Sequence, residues 1–275
     1  MLTRRLFATV ALAAITATAG IAGSVTGAFA QSKELVYLTP GLDLAFWRYL
    51  SKGIENVAKE AGYNYQALDS GNNAQTQLKN AKDSIARGVA GIIISPTDSS
   101  TAPAVLDLAK QANIPVVIAD IGTDSGDYVS FIISDNYQGA NGVGKALAEA
   151  MKAAGKEDGS VGIVGISQAR LNGQARTKGF KDAMTEAGIT KEAGLQQMQT
   201  YTADETFKFT QDMTTANPEM KGLFVQTDGP TLGALQAIKS ARLTGEVLVA
   251  GFDGVPEFVP LLQSGQPVVS GMQPP

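Results

Sequence analysis

The chain alternates short apolar segments with amphipathic stretches from about residue 34 onward. Short apolar runs that end at Gly or Pro are typical of buried strands, and apolar residues spaced three and four apart are typical of helices. The first half therefore predicts five strands, with helices between the first four. The predicted strands are residues 35–38, 63–68, 91–95, 115–119 and 129–133, and the helices lie near residues 50–61, 78–85 and 104–112.

The second half of the chain repeats this alternation. Strands that are apolar throughout and alternate with helices are typical of parallel sheets covered on both faces. Two such units in succession predict an α/β fold with two Rossmann-like lobes, over residues 31–135 and 136–272. The predicted strands of the second unit are 161–164, 197–201, 222–225 and 247–250, and its helices lie near 140–154, 175–187, 205–215, 231–241 and 256–263.

The residues that follow each predicted strand are the candidates for a binding site, because open parallel sheets bind ligands beyond the carboxyl ends of their strands. These residues include carboxylates, arginine and aromatic side chains. Carboxylates and arginine make charge-assisted hydrogen bonds to hydroxyl groups, and aromatic rings cover the C–H faces of a sugar ring. The positions are 43–47, 96–98 and 120 in the first unit, and 168–176, 201, 227–228 and 251–254 in the second.

The first 30 residues have the pattern of a cleaved secretory signal. Arg4 and Arg5 precede a weakly apolar run over residues 6–22, and Ala28 and Ala30 occupy the small-residue positions of a cleavage site. The run is rich in Ala, Thr and Gly, which argues against the alternative of a membrane anchor. The paired arginines also suit a twin-arginine signal, so both export routes stay open.

The absence of cysteine and histidine excludes several kinds of catalytic and metal site. The chain has no cysteine, so we expect no lipid anchor and no disulfide, and a location in the periplasm of a double-membraned bacterium. The absence of histidine rules out a Ser–His–Asp triad and His-ligated zinc. We therefore expect no catalytic residue, no metal and no cofactor.

The net charge and the glycine pattern argue against two further classes of protein, those that bind nucleic acids and those that bind dinucleotides. Without Arg4 and Arg5 the chain has 20 basic against 26 acidic residues, which argues against nucleic acid as a partner. Gly139, Gly142 and Gly144 lack the spacing and the preceding strand of a dinucleotide-binding fingerprint.

Motifs at the predicted strand ends follow one another in a fixed order from about residue 34 to the end of the chain. The motifs are Leu38-Thr39-Pro40 through Phe46-Trp47, Asp69 to Asn73, Gly91 to Asp98, Ala112 to Val116 with Asp120, Ser134 to Asn136, Arg176 with Gly179-Phe180, Gln226 to Asp228, and Gly251 to Gly254. In this order they resemble the periplasmic binding proteins of ABC sugar importers, the ribose-, galactose- and xylose-binding group.

The resemblance implies a type I periplasmic binding fold, in which two Rossmann-like lobes are joined by a hinge. It implies a monomer that captures a monosaccharide, or a similar polyhydroxylated ligand, in the cleft between the lobes. The loaded protein would deliver this ligand to the membrane permease of an ABC transporter. A sensor or chemoreceptor role for the same ligand-binding protein is the alternative.

The resemblance also implies the ligand contacts. Aromatic rings would stack on the sugar from both lobes, carboxylates would accept hydroxyl hydrogens, and Arg176, or alternatively Gln174, would hold the ring. The implied contacts are Phe46, Trp47, Asp120, Arg176, Tyr201, Thr227, Asp253 and Gln273, with Gln273 at the third hinge crossing.

Each contact has a structural alternative. The two adjacent aromatics would also suit the core of the first helix, and Asp120 and Asp253 would also suit turns. Arg176 could pair with a surface acid such as Asp182.

Four departures from the family pattern matter. Ile121 follows Asp120 where ribose-type members have arginine, Thr227 stands where many have asparagine, and Leu44 replaces a polar residue; these changes argue against ribose itself. A polyol, a nucleoside or a furanosyl signal are alternatives. The sequence also stops at residues 273–275, where the family's third crossing begins, so we expect the rest of the first lobe to be missing and the solubility to be low.

Two other classes share this type of fold. A regulator of the lactose-repressor type would need an N-terminal helix-turn-helix, where residues 1–30 predict a signal instead. An exported enzyme on a Rossmann-like fold is disfavoured by the absence of histidine, cysteine and a nucleotide motif.

Overall fold

The computed structural model describes residues 32–273. The signal predicted over residues 1–30 and the last two residues of the sequence lie outside the described part. Among the helices of residues 32–273, none is both long and apolar enough to cross a membrane.

Ten strands form two separate five-stranded sheets in which every pairing is parallel. The first sheet has the order β2-β1-β3-β4-β5 and the second β10-β9-β8-β6-β7, so the same order of neighbours occurs twice. The strands are β1 Glu34–Thr39, β2 Asn64–Asp69, β3 Gly91–Ile94, β4 Val116–Ala119, β5 Ser130–Ile132, β6 Ser160–Gly165, β7 Glu192–Gln197, β8 Met220–Val225, β9 Leu248–Asp253 and β10 Val269–Met272.

Helices lie in most of the connections between strands and cover both sheets, whereas β4 and β5 are joined by a loop over residues 120–129. We call β1–β5 with α1–α3 the first lobe, and β6–β10 with α4–α8 the second lobe. The helices are α1 Ala45–Glu60, α2 Ala74–Ala86, α3 Ala102–Gln111, α4 Asn136–Ala153, α5 Leu171–Glu186, α6 Ala203–Ala216, α7 Asp228–Ser240 and α8 Val259–Gln263, the last preceded by a 3-10 turn over Pro256–Phe258.

The core of each lobe lies between its sheet and its helices. In β1, an interior strand of the first sheet, the consecutive residues Val36, Tyr37 and Leu38 are all fully buried, which requires cover on both faces of the sheet. In the second lobe, Phe224 of β8 stacks on Phe180 of α5 with ring centroids 4.5 Å apart. The prediction of two lobes with parallel sheets is confirmed.

Two details of the predicted strands differ from the structure. The strand predicted over residues 197–201 is wrong: β7 occupies Glu192–Gln197, and residues 198–201 form a loop. β7 pairs on one side only and is half exposed, so its sequence lacks a continuous apolar run. The edge strand β10, residues Val269–Met272, is absent from the prediction. Like β7, it has few buried apolar residues and therefore no continuous apolar run.

Close packing of α4 against α5 explains part of the glycine cluster in α4. A Cβ added at Gly144 would lie 2.7 Å from the Ala183 Cβ and 3.0 Å from the Phe180 carbonyl oxygen. A Cβ added at Gly142 would meet no atom within 4 Å. The glycine at 144 therefore lets the two helices approach, whereas the glycine at 142 has no packing role.

These two glycines give a matched pair of substitutions. Gly144→Ala should lower the free energy of unfolding by about 1–3 kcal/mol, because the added methyl group overpacks the helix contact. Gly142→Ala should raise it by about 0.5–1 kcal/mol, because alanine favours the helix. Urea denaturation followed by circular dichroism measures both, and equal effects of the two substitutions would contradict the close approach of α4 and α5.

Candidate ligand-binding site

A cavity lies between the lobes, where the carboxyl ends of the strands of both sheets meet. About 330 Å³ of space, part of it open to solvent, is free of protein atoms there. We call this space the inner pocket. Its lining includes all eight residues that the sequence predicts as ligand contacts, together with four that it does not. The lining residues are Leu44, Phe46, Trp47, Asp120, Ile166, Arg170, Asn172, Arg176, Tyr201, Thr227, Asp253 and Gln273.

One wall of the inner pocket is aromatic. Phe46 and Trp47 lie in the first turn of α1, which begins at Ala45, earlier than the apolar spacing predicts. Their rings meet edge to face, with centroids 5.0 Å apart. Ile121 is fully buried and packs against this pair from outside the pocket. The isoleucine that departs from the ribose-type pattern thus supports the aromatic wall and does not face a ligand.

The opposite wall is built around the buried guanidinium group of Arg176. Its Nε donates to Asn136 Oδ1 at 2.7 Å, and its Nη1 donates to the Gln226 carbonyl oxygen at 2.6 Å. Nη1 also lies 3.4 Å from Asp253 Oδ1, and the guanidinium carbon lies 4.0 Å from the centre of the Phe252 ring. The alternative partner Asp182 instead contacts Lys178 and Tyr137, so Arg176 belongs to the pocket.

The carboxylate of Asp253 at the end of β9 gathers the polar groups of the second lobe. Oδ2 accepts a hydrogen bond from the Thr227 hydroxyl at 2.6 Å. Oδ1 accepts one from Gln273 Nε2 at 2.8 Å. Gln273 Oε1 is buried and has no hydrogen-bond partner within the described residues. Buried acceptors are normally paired, so this oxygen is suited to receive a ligand hydroxyl.

Asp120 supplies the corresponding carboxylate from the first lobe. It follows β4 with φ +63°, a left-handed conformation that aspartate and asparagine tolerate better than most residues. Its Oδ2 accepts a hydrogen bond from Asn172 Nδ2 of α5 at 2.9 Å. Asn172 Oδ1 is buried and unpaired among the residues of the structure, which leaves a second acceptor in the lining of the pocket.

Tyr201 and Arg170 form the third side of the inner pocket. Tyr201 lies in the loop after β7 with φ +57°, and its hydroxyl oxygen accepts from the Ser167 N–H at 3.1 Å. The Arg170 guanidinium carbon lies 5.0 Å from the centre of the Tyr201 ring. Arg170, in the loop before α5, therefore lies over the Tyr201 ring and stabilises its position in the wall of the pocket.

Arg170 also joins the two lobes. Its Nε donates to the Thr97 carbonyl oxygen at 2.7 Å, and its Nη2 donates to Asn72 Oδ1 at 2.6 Å. Asn72 Nδ2 in turn donates to the Gln199 carbonyl oxygen at 3.0 Å. Arg170 and Asn172 fall inside the strand-end segment 168–176 that the sequence predicts to face a ligand, but no motif distinguishes them from their neighbours.

The charges that line the inner pocket balance. Two carboxylates, Asp120 and Asp253, face two arginines, Arg170 and Arg176, so the lining has no net formal charge. Burial raises the pKa of Asp120 to about 6, an effect that Arg176 partly opposes. Burial also raises the pKa of Asp253, again against the effect of Arg176. A cavity of this kind suits an uncharged ligand rich in hydroxyl groups.

A third buried carboxylate, Asp228, lies behind the pocket. It accepts hydrogen bonds from the Val255 N–H at 3.0 Å and from the Ser270 hydroxyl at 2.7 Å. Burial, and next the nearby charge of Asp253, raise its pKa to about 7. Asp228 therefore fastens β10 and the loop after β9 in place, and it does not line the pocket.

The described residues include no group of three or more metal-ligating side chains that could hold a metal ion. The polar groups of the inner pocket are hydrogen-bond donors and acceptors held by one another and by backbone. This arrangement can bind and orient hydroxyl groups.

Comparison with known proteins gives consistent matches. Residues 35–275 match the family described as periplasmic binding protein domain. The ribose import binding protein RbsB of Escherichia coli K12 is 32% identical over 256 residues, which cover 93% of this chain and 84% of that protein. The D-apiose import binding protein of Paraburkholderia graminis is 31% identical over 246 residues, covering 89% and 76%.

Solved structures share the architecture. A carbohydrate transporter solute binding protein from Agrobacterium radiobacter in complex with D-arabinose superposes with a TM-score of 0.79 at 26% identity, covering 88% of this chain and 81% of that one. The relatives that these matches name are binding proteins, not enzymes.

The buried carboxylates make stability depend on pH. The pKa values of Asp120, Asp228 and Asp253 are raised above the ordinary range of an aspartate, so the folded chain binds protons more tightly than the unfolded chain. The contributions of Asp120 and Asp228 are complete below about pH 4 and are lost as the pH rises through about 6 and 7 respectively. We expect the free energy of unfolding to fall from pH 5 to pH 8, by at most about 1.4 kcal/mol per pH unit for each group.

Urea titrations of the ligand-free chain at pH 5, 6, 7 and 8 measure this dependence. Asp228→Asn should flatten it, because asparagine keeps the acceptor for Val255 N–H and can donate to the Ser270 oxygen without a charge. The matched control is Asp158→Asn at an exposed position. Stability that rises with pH in the parent chain would refute the effect.

Proposed function

The chain belongs to the periplasmic binding protein domain family, and on that premise we propose that it captures a small uncharged sugar between its lobes and delivers it to a membrane importer. The observation that carries the proposal is the composition of the inner pocket. It combines an aromatic wall, balanced buried charges, and two buried acceptors, Asn172 Oδ1 and Gln273 Oε1, without partners in the described chain.

Each predicted contact has a role in this proposal. Phe46, Trp47 and Tyr201 would cover the C–H faces of the sugar ring. Asp120 and Asp253 would accept hydrogen bonds from its hydroxyl groups.

The remaining contacts are donors and positioning groups. Arg176 would donate to ring or hydroxyl oxygens and fix the orientation of Asp253. Thr227 and Gln273 hold the same carboxylate and would complete the contacts from the second lobe.

The ligands of relatives support a five-carbon sugar. The two import proteins are named for ribose and apiose, and the solved structure holds D-arabinose. All three ligands are pentoses. Leu44 and Thr227 stand at departures from the ribose-type pattern, so we propose a pentose other than ribose.

Binding would work through closure of the two lobes. A ligand that contacts both lobes stabilises the arrangement in which both sets of contacts exist. Asp120 comes from the first lobe and is held by Asn172 from the second, so a hydroxyl group at this pair would join the two. The importer would then recognise the closed shape.

We propose that residues 1–30 direct export to the periplasm through the general or the twin-arginine route. The partner would be the permease of an ABC transporter, with a chemoreceptor as an alternative reader of the closed form. The protein would act as a monomer, without a cofactor and without chemical change to the ligand.

Thermal unfolding against a panel of pentoses, hexoses and polyols tests this function. A ligand at about 100 times its dissociation constant should stabilise the chain by about 2.7 kcal/mol, which corresponds to a rise of roughly 5–10 °C in Tm. Trp47, the single tryptophan of the chain, lines the pocket, so the same ligand should change its fluorescence.

Asp120→Asn is the variant that locates the binding. Asparagine tolerates the left-handed backbone at this position, and loss of the charge-assisted hydrogen bond should weaken binding by about 10-fold or more. Asp182→Asn is the control and should leave the affinity unchanged, because this half-buried residue of α5 bonds Tyr137 and Lys178 and does not line the pocket. If no sugar or polyol shifts Tm, or if the chain chemically converts any of them, the proposal fails.

A further inference from the structure

A second and larger space adjoins the inner pocket. It measures about 900 Å³ including its solvent-open part, and we call it the outer chamber. Leu44, Trp47, Arg170 and Tyr201 line both spaces, so these four residues form the boundary between them. A group attached to a sugar in the inner pocket would cross this boundary to reach the outer chamber.

The outer chamber is formed by both lobes. Asn72 after β2 and Gln199 after β7 both line it, and they are joined by the hydrogen bond from Asn72 Nδ2 to the Gln199 carbonyl oxygen. Arg170 Nη2 donates to the same asparagine. The chamber therefore takes its shape only when the lobes are closed, as a ligand subsite would.

The lining of the outer chamber offers both hydrogen-bond donors and acceptors. Arg170 uses two of its five N–H groups in the bonds to Thr97 and Asn72, which leaves donors for a ligand. The exposed carboxylate of Asp43 accepts one backbone bond, from Leu44 N–H, and keeps lone pairs for a hydroxyl group. With Asp69, the carboxylates outnumber this arginine, so the chamber disfavours an anionic group such as a phosphate.

We propose that the ligand is a two-ring sugar, with the pentose ring of the proposed function in the inner pocket and a second, uncharged ring in the outer chamber. This inference rests on the proposed function and names its substrate class. The second ring would lie between the loop that carries Asp43 and the loop that carries Thr200, and it would leave the inner contacts to the first ring.

Calorimetric titration of the purified chain tests the proposal. The probes are the single-ring sugars D-ribose, L-arabinose, D-xylose and D-galactose, and the two-ring sugars arabinobiose, xylobiose, lactose and melibiose. We expect at least one two-ring sugar to bind about tenfold more tightly than its single-ring component, which corresponds to about 1.4 kcal/mol.

Two variants locate the second ring. Thr200 lines the outer chamber and not the inner pocket, so Thr200→Trp should weaken the two-ring sugar about tenfold or more and the single-ring sugar less than about threefold. Asp43→Ala should weaken binding of the two-ring sugar and not of the single-ring sugar. Within the described residues the Asp43 side chain accepts a hydrogen bond from the neighbouring Leu44 N–H alone, so its removal should leave the fold intact. Thr215→Trp, at an exposed position on α6, is the matched control and should change neither affinity.

The outcomes separate this inference from the proposed function. If single-ring sugars bind and no two-ring sugar binds more tightly, the outer chamber is only the open mouth of the cleft, and the inference is wrong while the function stands. The inference is also wrong if Thr200→Trp weakens both kinds of sugar equally. If no sugar of either kind binds, both proposals are wrong.

Discussion

The site depends on one buried ion pair, between Arg176 of α5 and Asp253 at the end of β9. The guanidinium group also binds Asn136 at the start of α4 and the Gln226 carbonyl oxygen after β8, and it stacks on Phe252. It therefore fixes the relative positions of two helices and two strand ends. Removing one member of a buried pair leaves the other charge unpaired, typically at a cost of about 3–5 kcal/mol. The geometry and the charge of the second lobe's half of the pocket thus depend on the same pair.

Contacts between the lobes are of a different kind. Around the pocket they are mostly hydrogen bonds. Arg170 bonds the Thr97 carbonyl and Asn72, Asn72 bonds the Gln199 carbonyl, and Asn172 bonds Asp120. Further bonds join Ser99 to the loop before α5 and the exposed Tyr49 hydroxyl to a glutamate of the second lobe, and Leu44 adds an apolar contact. A neutral bond of this kind contributes about 0.5–1.5 kcal/mol and a bond to a charged group about 1.5–3 kcal/mol, because water replaces them when the lobes open. Opening would leave the separate apolar core of each lobe intact. A ligand that binds the closed arrangement more tightly than the open one shifts the equilibrium toward closure.

Much of this architecture could be predicted from the sequence, because continuous apolar strands and the residues that follow them are local features. Gln273 could be predicted only through family resemblance, since its role depends on a bond to a distant aspartate. Arg170 and Asn172 could not be singled out as individual contacts because their partners lie in the other lobe, and contact across a cleft leaves no periodic signal. The strand predicted over residues 197–201 failed because the edge strand β7 is half exposed, and because the loop after it contains two buried apolar residues, Met198 and Tyr201.

Six residues other than glycine have positive φ in the described chain, and they fall into three corresponding pairs. Each lobe has one after its second strand, one before its fourth strand, and one at the end of the fourth strand. The pairs are Asn72 with Tyr201, Asn113 with Arg242, and Asp120 with Asp253. Together with the repeated strand order, this correspondence shows that the two lobes repeat one backbone pattern. The two carboxylates that face the cavity occupy the same place in that pattern, and the lobes differ in the side chains they add to it, an aromatic pair from the first lobe and arginines from the second.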